Sequence, residues 1–296
     1  MMDSFSNFHP IINFMYFCAV ICFSMFFMHP IFQVIAFAGA FIYSVMLKGK
    51  KGLKFNILYM LPMLIFMTLL NPAFNHEGVT ILFYLKNGNP ITLESIIYGV
   101  ATALMFVTVL LWFSCYNAVM TSDKFIYIFG RIIPTLSLII SMVLRFVPRY
   151  IAQIKEISYA QKCIGRDFSQ GNIIKRAKNG MKILSIMTTW ALENAIETAN
   201  SMKSRGYGLL GRTSFSIFRF DNRDKIVLVI LICLTAIILA GALMGQNTIR
   251  FFPSIKFVDI SLFSIFLYIS YLILCMLPVI INIVEEMKWK RIESKI

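Results

Sequence analysis

Two short stretches combine glycine with cations in a way that could dock an acidic partner. One is Lys203-Ser204-Arg205-Gly206-Tyr207-Gly208; the other is Gln161-Lys162-Cys163-Ile164-Gly165-Arg166-Asp167-Phe168. A guanidinium presents its donors in a planar fork that can bind a carboxylate bidentately. A neighbouring glycine lets the chain turn sharply and lets a partner come close. An arginine beside a glycine at a helix end is also ordinary capping, because the negative end of the helix dipole favours cations. Other chemistry is harder to assemble. There is no Gly-x4-Gly-Lys-Ser/Thr phosphate loop, so the chain is not expected to bind ATP itself. His76-Glu77 lacks the second histidine of a zinc protease motif, and His9, His29 and His76 are scattered. Cys18 and Cys22 stand four apart with no His or carboxylate beside them, which argues against a metal. No catalytic residue, metal ligand or bound cofactor is assigned.

Long helices must hold the two glycine stretches. Over 137–164, Ile139, Val143, Phe146, Tyr150, Ile154 and Ile157 recur at three- and four-residue steps. Arg145, Arg149, Gln153 and Glu156 form a polar stripe on another face, and Pro148 should bend or break this helix. Gly165 stands where a C-cap belongs, and Ser169-Gln170-Gly171-Asn172 reads as a turn with Asn172 as the next N-cap. A second helix follows over 173–204, roughly 45–50 Å long at 1.5 Å per residue. Its start is basic, with Lys175, Arg176, Lys178 and Lys182, while 183–192 carries no charge. Ala191, Ala195 and Ala199 lie at i, i+4 and i+8, a row of small residues that admits a close helix crossing.

The rest of the chain belongs to a membrane. Of 296 residues, 58% are hydrophobic and 14% charged, too apolar for a water-covered domain. Apolar runs at 11–28, 31–47, 55–70, 91–120, 226–245 and 258–284 give about six spans, with 55–70 short and interrupted by Asn56 and Pro62. The expected organisation is a four-span membrane domain over 1–120, a cytoplasmic domain of long amphipathic helices over 121–225, and a two-span segment with a charged tail over 226–296. The net charge is +14, and 17 of the 28 basic residues fall within 121–225. With the N-terminus in the cytoplasm and six spans, 25 of the 28 lie inside. The charge is then mainly a topology signal, both termini are cytoplasmic, and nucleic acid is not needed to explain it. The fold class is all-α: a polytopic integral membrane protein with long cytoplasmic amphipathic helices.

The order of these features resembles the T component of energy-coupling-factor (ECF) transporters, the family that includes the CbiQ-type subunits of cobalt and vitamin importers. The resemblance is most specific over 120–225. The His9-Pro10 pair and the N-terminal spans fit more loosely. Family members carry two Ala-Arg-Gly-like motifs at the ends of long coupling helices. Ser204-Arg205-Gly206 looks like the second, with Ser for Ala. At the first, Gly165 and Asp167-Phe168 are in place, but Ile164 holds the arginine position, and Arg166 or Lys162 is left to supply the charge.

The resemblance implies an energy-coupling subunit that is not itself an enzyme. It would bind two ABC-type ATPases, which carry the ATP and magnesium, and a membrane-embedded S component that captures a vitamin or a transition-metal ion. Ser204, Arg205, Gly206, Gly165, Arg166 and Lys162 would dock the ATPases. Ala191, Ala195 and Ala199 would allow the helix crossing, and 183–192 would pack either on the S component or within the subunit. A membrane-anchored sensor or scaffold would share the topology but would not need rigid helices tipped with Arg-Gly. An intramembrane enzyme has only Glu285-Glu286, faintly similar to a prenyl-protein protease motif, with Lys290 where that motif has arginine. A charged tail is the simpler account of those residues.

Overall fold

The computed structural model describes residues 3–84, 89–130, 133–167, 169, 171–209, 218–257 and 261–294. Nine α-helices account for nearly all of the regular structure among these residues. They are α1 (Pro10–Phe26), α2 (Pro30–Phe55), α3 (Leu61–Phe74), α4 (Leu93–Val119), α5 (Ser122–Gly130), α6 (Pro134–Cys163), α7 (Ile173–Ser204), α8 (Asn222–Leu243) and α9 (Leu262–Glu293). Two antiparallel ribbons complete the described fold: β1 (Ile81–Tyr84) with β2 (Pro90–Thr92), and β3 (Ile249–Arg250) with β4 (Lys256–Phe257). The protein is a polytopic all-α membrane protein.

Five stretches among the described residues are long and apolar enough to cross a bilayer: Pro30–Phe74, Leu93–Val119, Thr135–Cys163, Asn222–Leu243 and Leu262–Glu293. Helix α1 is apolar but only 17 residues long. This set differs from the six runs read from sequence in three respects. The runs at 31–47 and 55–70 are joined, because the lysine-rich stretch between them is helical rather than a loop. The chain turns within it at Gly49, where φ is 57° and ψ −142°, and a π-helical turn at Asn56–Met60 leads into α3. Helix α6 joins the apolar set because Arg145 is the only charge in its first half, and the helix runs through Pro148. The charged C-terminal tail is not a separate segment: α9 continues through it to Glu293, with Lys290 and Glu286 paired at 2.9 Å one turn apart.

Chain contacts divide the molecule into two units, one formed by Met1–Phe125 with Phe218–Ile296, the other by Ile126–Ile217. In the first, α2 packs on α4 and α9, α1 on α4, α3 on α4, and α8 on α9. Trp112, Tyr16, Tyr43 and Tyr271 are fully buried at its centre, and the rings of Phe5, Tyr16, Phe17 and Trp112 meet mostly edge to face. Edge-to-face geometry matches positive ring edges to negative ring faces. Helices α2 and α9 approach so closely at Gly39 that a Cβ there would lie 2.9 Å from that of Cys275. The N-terminal segment is tied down by polar groups. The Asn282 side chain accepts from the Phe5 backbone N–H at 3.1 Å and donates to Asp3 at 2.7 Å, while the Tyr43 hydroxyl donates to Asp3 at 3.2 Å. Glu94 is buried at the start of α4, where it accepts from the Thr80 backbone and hydroxyl and pins the 75–80 loop.

The second unit is built differently. Helices α6 and α7 pack along a narrow seam of Ile157, Ile183 and Met187, with Tyr150 and Trp190 beside it. Tyr150 meets Trp190 edge to face at 5.6 Å, and the Arg149 guanidinium lies 5.4 Å from the Trp190 ring centre. Because Tyr150 pairs with Trp190 while Asp167, just past α6, accepts from Asn179 of α7, residue numbers rise along one helix as they fall along the other. The pair is antiparallel.

Candidate docking tips on two long helices

Each helix of this pair ends in the same backbone device. At the end of α6, Ile164 is the C-cap and Gly165 takes φ +74°. The Gly165 N–H donates to the Lys162 carbonyl at 3.0 Å, and the Arg166 N–H donates to Gln161 at 2.9 Å. At the end of α7, Arg205 is the C-cap and Gly206 takes φ +79°. The Gly206 N–H donates to Lys203 at 2.9 Å, and the Tyr207 N–H to Met202 at 3.0 Å. Both are Schellman motifs, which satisfy carbonyls that the last helical turn would leave unpaired. The left-handed φ at the glycine would cost a side-chain-bearing residue about 1–2 kcal/mol.

This geometry aligns the two tips residue by residue. Lys162 matches Lys203, Cys163 matches Ser204, Ile164 matches Arg205, Gly165 matches Gly206, and Arg166 matches Tyr207. Ile164 therefore occupies the position that arginine holds at the other tip. Arg166 lies two positions further along, already in the loop. Ile164, Arg166, Ser204 and Arg205 are all exposed. Because the helices are antiparallel, the tips lie at opposite ends of the pair, about 45–50 Å apart along the length of α7.

The first tip is braced by contacts that sequence reasoning missed. Lys162 pairs with Asp167 at 3.7 Å, and Asp167 accepts from the Ser169 N–H at 2.9 Å. The Asp167 carboxyl is held below the usual carboxylate range, first by the Ser169 backbone and hydroxyl and then by Lys162. Asn179, buried in the second turn of α7, donates to the Asp167 carbonyl at 3.0 Å and so fixes the loop to that helix. Asn172 caps α7 as expected, its side chain accepting from Ile173 at 2.8 Å. Phe168 and Gln170, part of the same reading, lie outside the described residues. The signal for Asn179 was present in its spacing: Asn179, Ile183, Met187 and Trp190 fall at i, i+4, i+8 and i+11, the single face that α7 turns to α6.

The alanine row lies elsewhere. Ala191 is half-buried, and Ala195 and Ala199 are exposed, so α6 and α7 pack through the Ile183-Met187-Trp190 face instead. The uncharged stretch splits in the same way. Ile183 and Met187 face inward, while Leu184 and Leu192 stand about 60% exposed. Among the described residues, no group of three or more His, Cys, Asp or Glu side chains could hold a metal ion.

The sequence profile of the CbiQ family, described as cobalt transport protein, matches residues 6–217. The chain is similar to an energy-coupling factor transporter transmembrane protein EcfT from Lactobacillus helveticus, 38% identical over 113 residues, which is 38% of this chain and 41% of that protein. It is similar to an EcfT of Bacillus selenitireducens, 35% identical over 111 residues, 37% of this chain and 41% of that one. The chain thus spans less than half the length of these two relatives. A longer match, 30% identical over 206 residues, joins 65% of this chain to 73% of an EcfT 1 from Listeria monocytogenes. The profile covers well over half of the chain and takes in both capped helices as far as Tyr207, and on that match this membrane protein belongs to the CbiQ cobalt transport protein family.

Proposed function

We propose that this chain is the energy-coupling transmembrane subunit of an ECF-type importer, passing the work of two partner ABC-type ATPases to a membrane-embedded S component. The observation that carries this is the pair of identically capped tips at opposite ends of one antiparallel helix pair. Each tip is rigid, exposed and separated from the other by a helix length, which suits two sockets on two subunits. Arg205 offers a fork to a carboxylate in one socket. Ile164 offers an apolar contact in the other, with Lys162 and Arg166 as flanking cations and Gly165 and Gly206 setting the turns. Ser204 precedes Arg205 in the last turn of its tip. ATP and magnesium act in the partners, and this chain is a non-catalytic subunit.

When the ATPases close and open, the two tips, kept one α7 length apart, would move with their sockets, and the α6–α7 pair would tilt as one lever. The exposed Ala195 and Ala199, with the half-buried Ala191, offer a smooth row for a further helix to cross closely. The exposed part of 183–192 is then available to the S component. In this arrangement the tips and both termini face the cytoplasm, the side that positively charged loops favour. The cargo is a vitamin or a transition-metal ion bound by the S component.

Affinity purification of the tagged chain in mild detergent is the direct test. Recovery of two ATPase subunits per chain, together with ATP-driven uptake in reconstituted vesicles, is expected. Recovery of a kinase or regulator without ATPases would replace this proposal with a membrane sensor or scaffold.

A further inference from the structure

The lysine-rich turn between α2 and α3 has a chemistry that the coupling role leaves unused. Lys48, Lys50, Lys51 and Lys54 are all exposed, and among the described residues none of them enters an ion pair. The turn concentrates them. Gly49 reverses the helix direction, so Lys48 belongs to the end of one helical run while Lys51 and Lys54 share a face of the next. Gly52 then presses against the end of the first run, where a Cβ would lie 2.7 Å from that of Lys48 and 3.0 Å from the Ser44 carbonyl. The buried Asn56 locks the turn by donating to the Ser44 hydroxyl at 3.0 Å.

Beneath these cations the surface is apolar. The Lys48 ammonium donates to the Ser114 hydroxyl of α4 and lies 5.9 Å from the Phe55 ring centre. A cavity of about 420 Å³ opens between Lys48, Lys51 and Phe55. Tyr59 packs tilted against Phe55, with 4.9 Å between ring centres and 41° between ring planes, and Ile57 and Leu58 are more than half exposed. Ammonium groups above an open aromatic and aliphatic floor complement a molecule that is anionic at one end and hydrocarbon at the other. A free phosphate would use only the cations, and a neutral lipid only the floor.

From this complementarity we infer that the turn is a binding site for an anionic phospholipid, with the headgroup phosphate between Lys48 and Lys51 and the acyl chains over Phe55 and Tyr59. Lys54 and Lys50 add charge at the rim. The assignment depends on the membrane location of the chain and not on its coupling role.

Native mass spectrometry of the full chain, purified in detergent and supplied with phosphatidylglycerol or with phosphatidylcholine of the same acyl chains, tests it. Phosphatidylglycerol adducts should dominate over phosphatidylcholine. Replacing Lys48, Lys51 and Lys54 together by Gln should weaken phosphatidylglycerol binding roughly 100-fold, at about fivefold per lysine near an anionic lipid surface. The matching triple Arg variant should keep it. All three lysines are exposed, so an unchanged melting temperature is expected in both variants and separates lost binding from lost folding. Equal retention of phosphatidylglycerol by the Gln variant would overturn the assignment. So would equal binding of both lipids, or displacement of phosphatidylglycerol by inorganic phosphate at the same concentration.

Discussion

Set side by side, the ends of α6 and α7 carry the same two capping hydrogen bonds around a left-handed glycine, yet the residue before that glycine is Ile164 in one and Arg205 in the other. The end of α8 shows that the backbone device alone has no docking chemistry. There Gly245 takes φ +75°, its N–H donates to Ala242 at 3.0 Å, and Gln246 donates to Gly241 at 3.3 Å, with no cation in the last turn. A Schellman motif fixes where the chain stops and how the cap residue projects. The cap side chain and its neighbours decide what is bound. The tips of α6 and α7 are therefore equivalent in shape and unlike in chemistry, and an α6 socket built for this chain should not demand the carboxylate that the α7 socket would use.

That asymmetry can be broken at its strong end first. Arg205→Ala should reduce ATPase co-purification and uptake by roughly 10- to 100-fold, the loss of a charge-assisted bond worth about 1.5–3 kcal/mol. Membrane insertion, read by fractionation, should stay unchanged. Ile164→Arg makes the two caps alike. If the α6 socket is apolar, this variant should lose association by about tenfold, in keeping with the cost of burying an unpaired charge. Improved association would instead show that both sockets are acidic.

The glycines sharpen the comparison at a smaller scale. Gly165→Ala and Gly206→Ala should each destabilise the helix end by about 1–2 kcal/mol through the left-handed φ. Gly206→Ala should cost more, because its Cβ would lie 3.0 Å from the Leu209 side chain, whereas Gly165 has nothing within 4 Å. Thermal melts followed by circular dichroism compare the two. The smallest effect should come from Asp167→Asn, which removes the long 3.7 Å pair between the half-buried Asp167 and the exposed Lys162. Asp167 has a lowered carboxyl pKa in the folded chain, so its contribution is present above the ordinary carboxylate value near about 4 and is lost as pH falls through the lowered one. Amide exchange at the first tip should accordingly show no Asp167-linked change between about pH 5 and 8, with loosening only below the carboxylate range.

Much of the tip region was legible because its determinants are local. Asn172, Gly165 and Gly206 act within one turn of themselves, so the observed Ile173–Ser204 coincides with the helix expected over 173–204. The departure at Ile164 was visible for the same reason. Small residues at 191, 195 and 199 signal a close approach without saying which helix approaches, and the face that α7 turns to α6 carries Ile183, Met187 and Trp190 instead. The lysine stretch at 48–54 reads as a loop by charge. It folds as a helical turn because Gly49, Gly52 and the Ser44–Asn56 bond act together across a dozen residues. Helix α6 reads as amphipathic, with an apolar row from Ile139 to Ile157 and a polar stripe from Arg145, and that periodicity does not register that its first half is apolar enough to cross a bilayer.

The narrow seam between α6 and α7 has a consequence for the life of an unassembled copy. With Ile157, Ile183 and Met187 as the buried apolar residues of that seam, local opening should require little free energy, far less than in the tightly filled α1, α4 and α9 region. Amide hydrogens along the α6–α7 seam should exchange early, and a protease should nick the chain there first. Any partner that covers the outward faces of these helices would shut that opening, so the half-life of the chain becomes a report on whether its complex has formed.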